Sequence, residues 1–502
     1  MSSRCTRSEE TFEKIRAWLK HCTETHQACL GWPSATGCSA TLPTRLLELG
    51  VTSQKPAIRL VLGQHLSAKS CRYATLSHCW GGGVPIKLLQ QNLESFRSNI
   101  PWDSLPLTFR DAVLAVQNLG ITYLWIDALC IIQDSEDDWA SEVAMMPDVY
   151  ANCYLNISAN ASVNGNGGLF RNRDPSVDQS FVIPCPKPDI KNSAYCCYID
   201  RWHLKVEQAP LKERSWVVQE RFLSPRVVHF CVDQVHWECT QLLTSEGLPD
   251  LFGIIPNTAR TWEKSALCYD TLSHSRTRIE ALYRLWSRLI ESYSMGKLTF
   301  PSDRPVAIAG LARTFCHSLG LKSCDYMCGL WRPRFIQDLM WYTYNSQRRF
   351  DSGMPSWSWL SVDQDTVNFC YRTYKQLDDW QPIAELIDCN VSPRSDPFGA
   401  VSYSYATIRG PLCKSVISKS SEDFQYCKHD RKCNKFIEVG QDLLREGESF
   451  FLRLDENSDE GLEDVLNHPV YLLLCGGPTP STEYIDQDLA QGLNDYSRYA
   501  PR

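Results

Sequence analysis

Three short stretches of this chain hold side chains whose types and spacing suit chemistry. The first is Ser77-His78-Cys79-Trp80-Gly81, followed by Gly82 and Gly83. Glycines let backbone N–H groups approach an anion such as a phosphate, although three glycines alone carry little specificity. The second is residues 123–134, a long apolar run with Asp127 in its middle. A carboxylate there costs desolvation unless it is paired or stands at a strand end. His78 and Asp127 leave two readings open: ligand-binding groups, or a mutual structural hydrogen bond. The third is Ser215-Trp216-Val217-Val218-Gln219-Glu220. On a helix, the four-residue offset sets Trp216 and Glu220 on one face. The structural reading makes Trp216 core and pairs Glu220 with an arginine such as Arg226. Nothing in the sequence pairs Cys79 or Cys130 with a base, which weakens them as nucleophiles. Cys22, His26, Cys29 and Cys38 have the spacing of a Cys3His zinc site. Reduced thiols near a helix end are the simpler reading, and no metal ligand is assigned.

These residues need a scaffold. Residues 73–76 read as a short strand that delivers the glycine loop. Residues 108–120 read as a helix with Thr108 as N-cap, Asp111 as its capping-box partner and Gly120 as the stop. Residues 123–132 read as one buried, central, parallel strand. Asp137 or Asp138 can cap a helix that runs to Tyr150, with Pro147 as a kink. Residues 153–159 read as a further strand. This alternation predicts an α/β fold with a mostly parallel sheet of three to five strands flanked by helices. Ligands gather at the carboxyl ends of such strands, where the 77–83 loop and Asp127 both fall. Residues 211–223 read as a helix, and 227–231 with 234–239 as a hairpin.

Around this core lie a preamble, residues 1–72, and a mixed α+β region, residues 226–502. In the preamble Phe12, Ile15, Trp18 and Leu19 form a helical stripe. In the C-terminal region residues 286–312 hold two helix patterns joined by residues 299–303. Residues 402–408 and 470–475 read as strands, with an acidic loop at 455–463.

A chain of 502 residues is long enough for a large core and more than one domain. Its 22% charged and 43% hydrophobic residues describe an ordinary globular composition. A net charge of -7 argues against nucleic-acid binding, which calls for a basic face. No apolar run is long enough to span a bilayer, and the acidic N-terminal stretch with Glu9, Glu10 and Glu13 gives no secretory signal. The 23 cysteines, an odd number spread along the chain, then read as cytoplasmic thiols instead of a disulfide framework.

Tyr73 to Gly81, Tyr123 to Asp134 and Arg214 to Arg221 resemble, in order, three blocks of the fungal heterokaryon-incompatibility (HET) domain: YxxLSYCWG, YLWIDxLCIxQD and RGWTLQER. Leu42-Pro43-Thr44-Arg45-Leu46 and Pro355-Ser356-Trp357-Ser358-Trp359 are similar to stretches that flank such domains. The family more often has Tyr where this chain has His78, which argues against His78 as an obligatory acid or base. The resemblance implies a role in non-self recognition and cell-death signalling, with the HET domain as residues 73–225. The strand–helix–strand order and Ser215 to Glu220 are also similar to Toll/interleukin-1 receptor (TIR) domains, whose S-x-W-C-L-x-E motif carries the glutamate needed to cleave the nicotinamide–ribose bond of NAD. On that similarity Glu220 is the catalytic candidate, and Ser77, His78, Trp80, Gly81, Asp127 and Trp216 are the ligand-binding candidates. NAD is then the candidate substrate. The chain departs from the TIR motif in lacking the cysteine after the tryptophan and in its long insert before the motif. Two other readings follow from the resemblance: a non-catalytic module that assembles with itself or with HET or TIR-like partners, and an accessory protein of a fungal biosynthetic cluster.

Overall fold

The computed structural model describes residues 4–32, 41–51, 55–68, 70–83, 85–174, 182–184, 194–196, 202–247, 264–267, 276–343, 353–355, 357–362, 366–369, 380–382, 384–410, 412–419, 435–438, 450–454, 469–473 and 476–478. Eight strands form one mixed sheet: β1 (Arg45–Val51), β2 (Pro56–Leu62), β3 (Tyr73–Ser77), β4 (Tyr123–Trp125), β5 (Leu155–Ser158), β6 (Arg226–Phe230), β7 (Val235–Cys239) and β8 (Leu243–Ser245). Their spatial order is β8-β7-β6-β5-β3-β4-β1-β2. The inner strands β6, β5, β3 and β4 run parallel. Antiparallel pairs close both sides. The sheet is therefore wider and more mixed than the alternating pattern predicts. The β1–β2 hairpin comes from the stretch before residue 73, and β6 to β8 form a meander after the last crossover helix.

Every residue of β3, β5, β6 and β7 is buried, as befits strands covered on both faces. The crossovers between the parallel strands are α2 (Leu107–Asn118), α3 (Glu136–Ala151) and α4 (Trp216–Leu223). Counted along the chain, the four parallel strands follow the order second-first-third-fourth, an arrangement of doubly wound sheets. Further helices are α1 (Glu9–Thr25) before the sheet, and α5 (Arg276–Ser294) and α6 (Arg304–Ser318) after it. In α1 the expected stripe is buried: Phe12, Ile15, Trp18 and Leu19 all face the protein. Trp18 meets Trp237 of β7 at 6.2 Å between ring centroids.

Two expectations fail for instructive reasons. The run 123–132 is not one strand. β4 stops at Trp125, and Asp127–Cys130 makes a helical turn. The Asp127 carboxylate accepts the Ala128 N–H at 2.7 Å and so stabilises that turn where the chain leaves the sheet. The turn is as buried as the strand, with Ala128, Leu129 and Cys130 fully covered. Apolar sequence alone cannot separate a buried strand from a buried turn. The second failure is the capping of α2. Pro106 is its N-cap, and Thr108 and Asp111 do not cap it. Thr108 Oγ1 accepts the Gly168 N–H, and Asp111 accepts the N–H groups of Leu169 and Phe170. Both side chains pin the loop after β5. In α3 the cap is Ser135, two residues before the first of the expected aspartates.

Pro147 lies inside α3 and serves a packing role. A Cβ on Gly310 of α6 would collide with the Pro147 ring and lie 2.5 Å from the Gln219 Oε1 of α4. Gly310 also donates its N–H to that Gln219 oxygen at 3.0 Å. Three helices thus meet at one glycine.

The chain divides into two compact units. The first comprises residues 1–332, 343–368 and 391–403 and holds the large sheet. The second comprises residues 333–342, 369–390 and 404–502. It includes antiparallel strand pairs: Leu412–Lys419 pairs with Lys435–Glu438 and Pro469–Leu473, and Trp380–Pro382 pairs with Gly476–Pro478. Val401–Gly410 and Pro469–Leu473 match the strands expected near the C-terminus, while the acidic stretch 455–463 lies outside the described residues. Among the described residues, no helix is long and apolar enough to cross a membrane.

Candidate active site

The carboxyl ends of β3, β4 and β5 open into a cleft of about 480 Å³. Each of these three strands feeds it. Cys79, Trp80 and Gly81 follow β3, Asp127, Ile131 and Gln133 follow β4, and Val163 lies beyond β5. One wall is α3, through Trp139, Val143 and Met146. Another is the start of α4 with the turn before it, through Glu213, Arg214, Trp216 and Glu220. Residues Lys297 to Phe300 and Asp303, between α5 and α6, complete it.

The loop after β3 owes its shape to Gly81, whose φ of 60° lies in the left-handed region. A Cβ there would also collide with Asn164. Trp80 is fixed by its indole N–H, which donates to Asp127 Oδ2 at 2.8 Å. Lys87 lies 5.1 Å from the Trp80 ring centroid, a cation–π contact. Asp127 is therefore satisfied by Trp80 and Ala128, and His78 Nδ1 stands off at 3.8 Å. His78 is 1% exposed, and neither ring nitrogen makes a hydrogen bond. Burial lowers its pKa to about 4, so the ring is neutral at neutral pH. His78 and Ser77 stand behind the cleft wall, whereas Trp80, Gly81, Asp127, Trp216 and Glu220 line it.

Glu220 lies one helical turn after Trp216, and both side chains reach the same cleft. The carboxylate is 2% exposed, and its Oε2 has no hydrogen-bond partner. Burial pushes its pKa above the ordinary value, while Arg214 and the Ser77 hydroxyl act in the opposite direction. Asp127 adds a like charge that raises it further. Across the cleft, burial lifts the Asp303 carboxyl to about 6. Arg214 donates to the His78 carbonyl, which holds the guanidinium across the base of the 77–83 loop. The expected pairing of Glu220 with Arg226 does not occur, since Arg226 bonds Cys22 and the Tyr154 carbonyl.

The cysteines near the cleft are poor nucleophiles. Burial pushes Cys79 up to about 11 and Cys130 up to about 12, so both stay thiols at neutral pH. Cys79 packs with Leu211 and Val217 as a small hydrophobe.

The cleft thus combines two carboxyl groups of raised pKa, a guanidinium and an ammonium, and aromatic walls from Trp80, Trp139, Trp216 and Phe300. That set suits a ligand with a flat ring and an anionic portion. Sequence reading overlooks Arg214 as a cleft residue, although it begins the third block. It also overlooks Trp139, Lys297 and Asp303, whose approach depends on how α3 and the α5–α6 connection pack.

Residues 73–220 match the family model described as Heterokaryon incompatibility protein (HET). No curated protein and no solved structure matches the chain. The matched span starts at the first residue of β3 and ends on Glu220, at the cleft. All three sequence blocks meet there: the first through Cys79 to Gly81, the second through Asp127 to Gln133, the third through Arg214 to Glu220. Residues 73–220 of this chain are a heterokaryon-incompatibility (HET) domain.

Proposed function

We propose that this HET domain is a cell-death effector of fungal non-self recognition and that it acts by cleaving the nicotinamide–ribose bond of NAD. The observation that carries the reading is the convergence of Trp216 and Glu220, one turn apart on α4, with Asp127 and the Cys79–Gly81 loop in a single cleft. The cleft opens at the carboxyl ends of parallel strands, where doubly wound sheets bind nucleotides. That support is an analogy of fold, and the chemistry must come from the residues.

In the reaction the C–N bond breaks, and its electron pair leaves with nicotinamide. Water adds to the ribose carbon and releases a proton. The oxocarbenium-like ribose in between is stabilised by a carboxylate close to it. Glu220 has that role, in a water-poor setting where its charge acts strongly. Arg214 favours its ionised form and so opposes the cost of burial. Trp80 or Trp216 supplies the face for nicotinamide, and Arg214 with Lys297 the charge for the pyrophosphate. Glu220 is 2% exposed, so only a ligand seated to the floor of the cleft touches it.

Expression of the full chain in a fungal host tests the reading. Wild type should lower cellular NAD and kill, and Glu220→Gln should do neither at equal protein level. Killing by Glu220→Gln with NAD unchanged would replace catalysis by the assembly reading, in which the domain signals through contacts with like partners.

A further inference from the structure

Away from the cleft, four side chains with metal-ligating atoms meet at the far edge of the sheet. Cys22 lies in the last turn of α1, His26 is its C-cap, Cys29 lies in the helical turn Gln27–Leu30, and Cys239 ends β7. One ligand atom from each of the four lies within 4.8 Å of all the others. Tetrahedral zinc with bonds of about 2.3 Å sets its sulfurs about 3.8 Å apart, so a small inward movement closes the site. His26 presents Nδ1, at 3.3 Å from Cys239 Sγ and 4.0 Å from Cys29 Sγ. All three thiols are buried, and His26 is 9% exposed.

We propose that Cys22, His26, Cys29 and Cys239 bind a structural zinc ion that fastens the N-terminal preamble to the HET-domain sheet. Buried thiols are often no more than small hydrophobes. Here four donors arrive from three elements, and His26 and Cys239 are 213 residues apart in the chain. A disulfide would use two of the three sulfurs and leave the third odd. A Cys3His site uses every donor and has no open position, as structural zinc requires. The surroundings fit the charge. Three thiolates around a dication leave one net negative charge, and the Arg226 guanidinium donates to Cys22 Sγ at 3.2 Å. The Thr240 hydroxyl contacts Cys29 Sγ, a further outer partner. Sequence spacing alone offers Cys38 as the fourth ligand, but it lies outside the described residues. Cys239 fills that place from the end of β7.

Metal analysis of the purified full chain, kept reduced, tests the site. One zinc per chain is expected. Exchange with cobalt should give the visible bands of a tetrahedral ion and charge-transfer bands scaled to three thiolates. Cys239→Ser should lower zinc retention by at least about tenfold. Cys239→His should keep the metal, and Cys38→Ser and Cys231→Ser should keep it too. If Cys239→Ser does not fold, mercurial titration of wild type decides: zinc release should track modification of three thiols. A metal-free reduced wild type, unchanged zinc in Cys239→Ser, loss of zinc in Cys38→Ser, or a native mass showing a disulfide among these cysteines would each overturn the proposal.

Discussion

Glu220 and Arg221 are neighbours on α4, yet they face opposite solutions to the same problem of burying a charge. Arg221 points to a closed network. Its Nε donates to Glu238 at 2.6 Å and its Nη2 to Glu207 at 2.8 Å. His229 and Lys264 reach the same Glu238 carboxylate at 3.0 and 3.3 Å. Those partners hold Glu238 well below the ordinary carboxylate range and Glu207 down at about 2. Glu220 points to the cleft, keeps one oxygen without a hydrogen bond, and has its pKa raised. One residue apart, the fold completes an ion network and leaves an acid under-satisfied. Buried ion networks of the first kind fix structure, and breaking them is costly. Acids of the second kind cluster where ligands bind and react.

The largest expected effect comes from breaking the network. Arg221→Ala leaves Glu238 and Glu207 without their shared cation and should destabilise the fold by about 3–5 kcal/mol, read from denaturant titration. A loss below about 1 kcal/mol would erase the contrast with Glu220.

A smaller effect, with a defined pH dependence, is expected for Glu207→Gln. Its folded pKa is depressed, so its stabilisation is present above the ordinary carboxylate value and is lost as pH falls through about 2. The variant should cost about 2 kcal/mol at pH 7. That cost should shrink steadily between about pH 4.5 and 2. A cost independent of pH would mean that packing, not charge, holds Glu207.

The smallest expected effect on stability is at Glu220. Its folded pKa is raised, so its contribution is present at low pH and is lost as pH rises through the folded value. Glu220→Gln should match wild type in acid and equal or exceed it near pH 7. A large destabilisation at neutral pH would place Glu220 with Arg221 as a structural residue.

The two sides of α4 also differ in how much sequence discloses. The cleft side was legible because local rules apply. A four-residue offset fixes Trp216 and Glu220 on one helix face, and strand ends fix where the 77–83 loop and Asp127 emerge. The network side was not, because Glu207, Glu238 and Lys264 reach Arg221 from elements whose contact only the folded sheet decides. The same limit hid Cys239 from the Cys22–His26–Cys29 cluster. It also turned Thr108 and Asp111 from apparent caps into anchors of a distant loop. The short β4 shows a different limit. The sequence marks residues 123–132 as buried, but only the Asp127–Ala128 hydrogen bond shows where strand yields to turn.

The most direct test of the catalytic reading is nicotinamide release from NAD by the purified full chain, compared with Glu220→Gln after both are shown to have the same unfolding midpoint. Wild type should release nicotinamide and ADP-ribose in equal amounts, and the variant should be slower by about 100-fold or more, the scale of losing a charge that acts on the transition state. Equal rates in the two proteins, or no release by either under conditions where wild type kills cells, would contradict it.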